Sequence, residues 1–253
     1  MIIDAHTHIV TNPWNRRDVE DFLAGADSYG IDVCCVASLG PGCYHPVRLE
    51  PSPTQEQCAA FNRDLYEVMK AFPDRIWGWV YVNPACPGAV DEVRRGIEDY
   101  GMIGVKMWMG TTCADSRVFP VVEQAIEYGV PLLQHAWDKA AGALPNESTS
   151  ADIVELARRY PELKIIMAHN ERAVRVIAPY PNVFVDTASP IAESGIIEKT
   201  AEWIGADRIV YGSDCIGVDF AVSWGKVCGA ELSDEAKRNI LGGNMLRILG
   251  RER

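Results

Sequence analysis

The sequence predicts an α/β chain in which residues 1–253 form a single domain, a (β/α)8 TIM barrel. Three observations carry that expectation. Eight short runs of β-branched and aromatic residues alternate with longer amphipathic stretches, several of those stretches stop on glycine, and 253 residues match the roughly 250 of one complete barrel.

The eight runs are 2–6, 32–38, 76–82, 104–108, 131–136, 164–169, 183–187 and 208–213. Their apolar residues are nearly continuous, as in parallel strands covered by helices on the outer face. Helical periodicity fills 17–29, 54–72, 89–100, 118–128, 150–160, 171–178, 191–204 and 233–249. Four of these stretches end at Tyr29-Gly30, Tyr100-Gly101, Tyr128-Gly129 and Ile204-Gly205, because glycine accepts the left-handed conformation of a helix exit. The last opens on Ser233-Asp-Glu, an N-cap followed by acids that suit the positive end of a helix dipole. A strand followed by a helix, repeated in this way, closes a parallel sheet more readily than it leaves one open. An open doubly wound sheet is the runner-up, weakened because no Gly-x-Gly-x-x-Gly follows a strand. Two loops, 39–53 with His45 and Arg48, and 137–149, follow strands and therefore overhang the functional end of a barrel.

Composition narrows the partners. Hydrophobic residues at 48% and charged residues at 23% suit a globular chain with a sizeable core. A net charge of -11 without a Lys/Arg cluster opposes nucleic acid and anionic lipid. Neither a basic-then-apolar leader nor a run of about 18 apolar residues is present, so a cytoplasmic location is expected, with no membrane partner. Eight cysteines without Cys-x-x-Cys spacing read as free thiols and disfavour a Cys-ligated zinc site. A small-molecule substrate is the expected partner, with homo-oligomer assembly left open.

The chain has five histidines, and His6, His8, His135 and His169 fall at the C-terminal ends of predicted strands. In Asp4-Ala-His6-Thr-His8 the period of two sends His6 and His8 to one side, so two imidazoles can meet one ion. The His6/His8 pair alone reads equally well as an ordinary surface or core pair, and His135 or His169 alone reads better as a satisfied core histidine. Their convergence at one face is what favours a site. Asp214, in Tyr211-Gly-Ser-Asp214, ends a further strand and completes a nitrogen-rich, singly carboxylated set of the kind zinc and similar divalent ions prefer.

Longer motifs run the length of the chain. They are Asp4-Ala-His-Thr-His8, Phe72-Pro-Asp-Arg-Ile76 leading to Val82-Asn-Pro84, Gly104-Val-Lys-Met107, Val130-Pro-Leu-Leu-Gln-His135, Met167-Ala-His169, Asn182-Val-Phe-Val-Asp186, Asp207-Arg-Ile-Val-Tyr-Gly-Ser-Asp214 and Ile240-Leu-Gly-Gly-Asn244. In these the chain resembles the amidohydrolase-related family, the group of the amidohydrolase superfamily that includes the aminocarboxymuconate-semialdehyde decarboxylase-like enzymes. The resemblance implies a barrel of the metal-dependent hydrolase type, with one divalent metal ion, zinc first and manganese second, ligated by His6, His8, His135 and Asp214. It also places His169 beside the metal-bound water. Such a cation lowers the pKa of water to around 7, so Asp214 would act as ligand and proton acceptor while His169 orients the water or shuttles the proton.

The reaction so implied is hydrolysis of a small organic acid derivative, an amide, ester or lactone. Nonoxidative decarboxylation of an unsaturated or aromatic acid is the alternative, and a non-catalytic barrel that binds a small acid is the second. Lys106 reads as an anion-binding substrate contact ahead of a carbamylated bridge between two metals. Trp108 and Trp137 are the further substrate-binding candidates, Trp108 with packing under a loop as its other reading. Asp186 is either a hydrogen-bond partner of a ligand histidine or a plain strand terminus. Lys139, Arg48, Arg117 and Arg172 could each bind a substrate carboxylate, although a solvated charge or loop anchor is the better reading of any one alone. The chain departs from the family pattern at Asn170-Glu171 after His169, where glycine is usual, and at Cys215-Ile216 after Asp214, where an aromatic-Pro is usual. Both departures alter the pocket edge and leave the ligand set intact.

Overall fold

The structure, a computed structural model, describes residues 1–9, 13–41 and 52–252. His45 and Arg48 lie outside the described residues. Strands and helices alternate: β1 Ile3–His8, α1 Arg16–Asp27, β2 Val33–Ala37, α2 Gln55–Ala71, β3 Ile76–Gly78, β4 Val80–Tyr81, α3 Ala89–Glu98, β5 Val105–Met107, α4 Phe119–Glu127 and β6 Leu132–His135. The second half continues with α5 Ser150–Arg159, β7 Ile165–Ala168, α6 Val174–Ile177, β8 Val183–Asp186, α7 Ile196–Ile204, β9 Ile209–Val210, α8 Phe220–Gly229, α9 Asp234–Arg238 and α10 Asn244–Ile248.

All pairings between strands are parallel and follow chain order, as expected of a (β/α)8 barrel. The ladders do not run unbroken around the ring: β1-β2-β3 form one sheet and β4 to β9 another. At one seam β3 and β4 are halves of a single extended segment that bonds β2 first and β5 second, with Trp79 between them. At the other, the chain turns at Asp214, and backbone bonds from Ala5 N to Tyr211 O and from Asp214 N to His6 O, both 2.8 Å, join the eighth segment to β1. The turn, rather than a missing strand, interrupts the ladder there.

The local rules of the sequence hold at the element ends. Gly30, Gly101, Gly129 and Gly205 all take positive φ at helix exits. Ser233 caps α9 by accepting from Ala236 N at 3.2 Å. The final periodic stretch is not one helix, however, because a π segment, Asn239–Gly243, separates α9 from α10. Gly242 of that segment sits against the start of β1, where a Cβ would lie 2.4 Å from Met1 O, so the close approach requires glycine. Helix α8 is one that periodicity does not single out, since it is apolar on most sides and carries Gly225 and Gly229.

Two apolar clusters form the core. The inner one fills the barrel with Val33, Cys35, Trp79, Tyr81, Leu133, Ile166 and Val210, closed by Met245 and Ile248 of α10. The outer one packs Val36, Val80, Val105, Leu132, Ile165 and Val183 against the helices. Successive strand residues thus belong to opposite layers, which is why the runs look continuously apolar in sequence. Among the described residues no helix is long and apolar enough to cross a membrane.

Candidate metal and catalytic site

Four histidines and Asp214 stand at the C-terminal end of the strands. The period of two does not hold through β1: a register shift between Asp4 and Thr7 aligns Asp4 with Cys34 but His8 with Ala37, residues on opposite faces of β2. Asp4 is therefore out of phase with His8. Its Oδ1 instead accepts the backbone N–H groups of His6 and Ser213 at 3.1 and 3.0 Å, while burial pushes its carboxyl up to about 7.

Each imidazole is oriented through one nitrogen. His8 Nδ1 is 2.8 Å from Ala37 O and His169 Nδ1 is 3.3 Å from Ala188 O. A carbonyl only accepts, so Nδ1 carries the hydrogen in both rings and Nε2 of the neutral ring is a lone pair. His6 Nδ1 lies 2.6 Å from Asp186 Oδ2. Asp186 is thus a hydrogen-bond partner of a candidate ligand, and its Oδ1 also takes His169 N at 2.9 Å. Of its two readings from sequence, the first describes its contacts.

The Nε2 atoms of the two β1 histidines meet. His6 Nε2 and His8 Nε2 are 3.0 Å apart, and Asp214 Oδ1 lies 3.5 and 3.2 Å from them. One ligand atom from each of His6, His8 and Asp214 falls within 4.8 Å of the others, and this is the group among the described residues that could hold a metal ion. Two imidazole nitrogens and one carboxylate facing one another, with Lys106 Nζ 2.9 Å from His6 Nε2, make a nitrogen-rich, singly carboxylated set, and that donor chemistry fits a divalent ion. His135 is not in that group: its Nε2 is 2.9 Å from Glu147 Oε1, and its ring packs against His169 with centroids 4.9 Å apart.

Burial sets the charges. It pushes the His6 imidazolium well below its ordinary pKa, helped by Lys106, and brings His169 down to about 4 against the pull of Asp214. Both rings are neutral near pH 7 and can offer lone pairs. Burial opposes ionisation of Asp214, but His169, His8 and His6 outweigh it and hold the carboxyl well below the usual carboxylate range. Backbone geometry marks two of these residues as well: His169 and Asp214 have φ of 63° and 61°, a region that costs a non-glycine residue on the order of 1–3 kcal/mol.

A cavity of about 270 Å³ opens above the group. Lys106, Trp108 and Trp137 all line it, as the sequence expects of substrate-binding residues. Lys106 Nζ is 2.9 Å from His6 Nε2, so the lysine reaches the donor group itself. Trp137 stacks on His169 at 5.8 Å, and Trp108 meets His135 edge-on at 6.4 Å. Lys139 also lines the cavity, paired with Glu147 at 2.7 Å. The two arginines lie elsewhere, Arg117 bound to Asp115 and Arg172 to Glu193. A larger groove of about 810 Å³ runs between α7 and α8, but the donor group found among the described residues lies under the smaller cavity.

Sequence reasoning missed Glu147. Its side chain is fully buried, and burial is outweighed by the hydrogen bonds from His135, Lys139 and Leu144 N, which hold its carboxyl down at about 2. A single acid in a Pro/Gly loop gives no periodic signal that could have found it. The first departure from the family pattern is absorbed by neighbours: Asn170 bonds Asp138 at 2.6 Å, and Glu171 forms a buried pair with Lys226 at 2.6 Å.

Comparison with known proteins gives the chain a family. The amidohydrolase family profile matches residues 3–251. The L-fucono-1,5-lactonase of Burkholderia ambifaria is 25% identical over 240 residues, 80% of this chain and 79% of the lactonase. The solved 5-carboxyvanillate decarboxylase of Sphingomonas paucimobilis superposes with a TM-score of 0.77 at 16% identity, covering 98% of each chain. That of Novosphingobium aromaticivorans, complexed with manganese and 4-hydroxy-3-methoxy-5-nitrobenzoic acid, gives 0.76 at 18%, covering 99% of this chain and 96% of its own. At such identities the solved structures speak for the barrel alone. The family match does not depend on them: with all but its extreme residues inside that profile, the chain belongs to the amidohydrolase family.

Proposed function

We propose that this family member is a metal-dependent hydrolase of a small organic acid derivative, an amide, ester or lactone, built as one barrel domain. The observation that carries the reading is the convergence of His6 Nε2, His8 Nε2 and an Asp214 oxygen within 4.8 Å. These three, with His135 as the fourth, would hold one divalent ion, zinc first and manganese second. When bound, the ion polarises a substrate carbonyl and makes a water acidic near neutral pH. Asp214, ionised and at the seam of the barrel, accepts the proton of the attacking water. His169, neutral and with Nε2 free of its backbone acceptor, orients that water and passes the proton to the leaving group. Lys106 anchors an anionic oxygen of the substrate, and Trp108 and Trp137 give it apolar walls that exclude bulk water.

The lactonase relative supports hydrolysis of a cyclic ester over the alternatives. Decarboxylation of an unsaturated or aromatic acid is the second reading, favoured by a lysine ammonium beside the donors and by two indole faces on the cavity. The location we infer is the cytoplasm, in keeping with seven free thiols among the described residues.

Elemental analysis of protein purified without chelator, paired with a screen of lactones, esters, amides and carboxylic acids, tests the reading. The expected result is about one zinc or manganese per chain and release of acid without carbon dioxide. Protein that carries no metal and gains neither activity nor thermal stability from added zinc or manganese overturns it. Carbon dioxide release from an acid selects the second reading.

A further inference from the structure

The four site histidines share one arrangement with one exception. His6, His8 and His169 each present Nδ1 to an acceptor, Asp186, Ala37 O and Ala188 O. His135 is reversed and presents Nε2, and its acceptor, Glu147, comes from the loop that follows β6, 12 residues on. Glu147 is itself fixed on all sides. Lys139 Nζ bridges both of its oxygens at 2.7 and 2.9 Å, and Leu144 N reaches Oε2 at 2.8 Å. A carboxylate so placed accepts only, so it draws the imidazole hydrogen to Nε2 and leaves Nδ1 as the lone pair.

We propose that Glu147 is the positioning residue of His135: it sets the tautomer and ring orientation that make Nδ1 a metal donor, and through Lys139 and Leu144 it ties the loop over the cavity to that donor. The proposal rests on the metal reading above. Acceptors behind ligand histidines commonly govern metal affinity, and here the acceptor is supplied by the same loop that carries Trp137 and lines the cavity. The donors of β1 are held by residues of the barrel wall, whereas His135 depends on a loop that also shapes the substrate pocket. Metal affinity and pocket shape are therefore coupled at one residue.

The test is a cobalt(II) titration of the full chain, read by calorimetry and by the visible cobalt spectrum, with melting of the metal-free proteins as the measure of folding. Glu147→Ala is expected to weaken cobalt binding about 10- to 100-fold and to change the visible band. Glu147→Gln, which keeps the loop filled, is expected to lose less and carries the same test should the alanine variant not fold. His135→Asn is expected to weaken binding at least as much, and the double variant Glu147→Ala with His135→Asn no more than His135→Asn alone, because a residue acting through His135 adds nothing once the ring is gone. Lys139→Met, which loosens the loop but leaves the His135 contact, separates loop anchoring from the effect and should stay within about threefold of the parent. Additive losses in the double variant, or Glu147→Ala binding within about twofold of the parent, overturn the proposal while leaving the metal reading intact. A parent chain that binds no cobalt overturns both.

Discussion

The histidines on β1 and the histidine on β6 are supported in different ways. His6 and His8 take their acceptors from other strands: Asp186 at the end of β8 and Ala37 O at the end of β2. His135 ends its strand just as cleanly, but its partner Glu147 arrives from a loop. The first set of contacts comes from strand residues alone. The second depends on the path that 137–149 takes over the mouth. Under the proposed metal reading, such a site keeps a constant half that would hold the cation and a half that can change with the substrate, which suits a fold that hosts many reactions.

The sharpest way to break the comparison is to remove a donor from the constant half. His6→Ala or His8→Ala should abolish stoichiometric metal and all measurable turnover, as read by elemental analysis and rate. If either variant retains a full equivalent of metal, the wall around β1 is not the anchor. A smaller effect isolates a residue that faces both halves: His169 stacks between Trp137 and the His6 ring. His169→Asn should keep its metal and lose roughly 10²- to 10⁴-fold in rate, the usual worth of a positioned acid or base. Loss of metal as complete as in His6→Ala would move His169 among the ligands. The smallest expected change is at Lys106, where Lys106→Ala should keep one equivalent of metal and raise KM with kcat moved less. Two equivalents of metal in the parent, falling when Lys106 is replaced, would instead identify a bridging lysine.

The strand and helix rhythm was legible because each element is short and bounded by an unambiguous signal. Gly30, Gly101, Gly129 and Gly205 stop helices where their φ values demand it, and Ser233 caps where its hydroxyl can reach Ala236 N. Helix α8 and the π segment were not, since neither shows a one-sided apolar stripe and the π turn answers to the close contact of Gly242 with Met1. In the site, alternation along β1 pairs His6 with His8, but it cannot place Asp4, as a register shift leaves no mark in the residue pattern. Lys106, Trp108 and Trp137 reach the cavity because residues at and just beyond strand ends must do so in a barrel. Glu147 reaches it through the path of a loop, and no short-range rule reports such a path. The arginines illustrate the same limit from the other side: Arg117 and Arg172 follow strands too, yet each is spent on a neighbouring carboxylate.

The left-handed backbone at His169 and Asp214 narrows what selection, natural or in the laboratory, can try at those positions. A β-branched side chain there would crowd its own carbonyl, so valine, isoleucine and threonine are disfavoured by the main chain before any chemistry is judged. Asparagine, aspartate, histidine and glycine remain accessible, and all but glycine can hold a proton or a hydrogen bond. The repertoire of viable sequences at the reacting end is consequently biased towards proton-handling groups, so drift at these two sites tends to exchange one polar function for another.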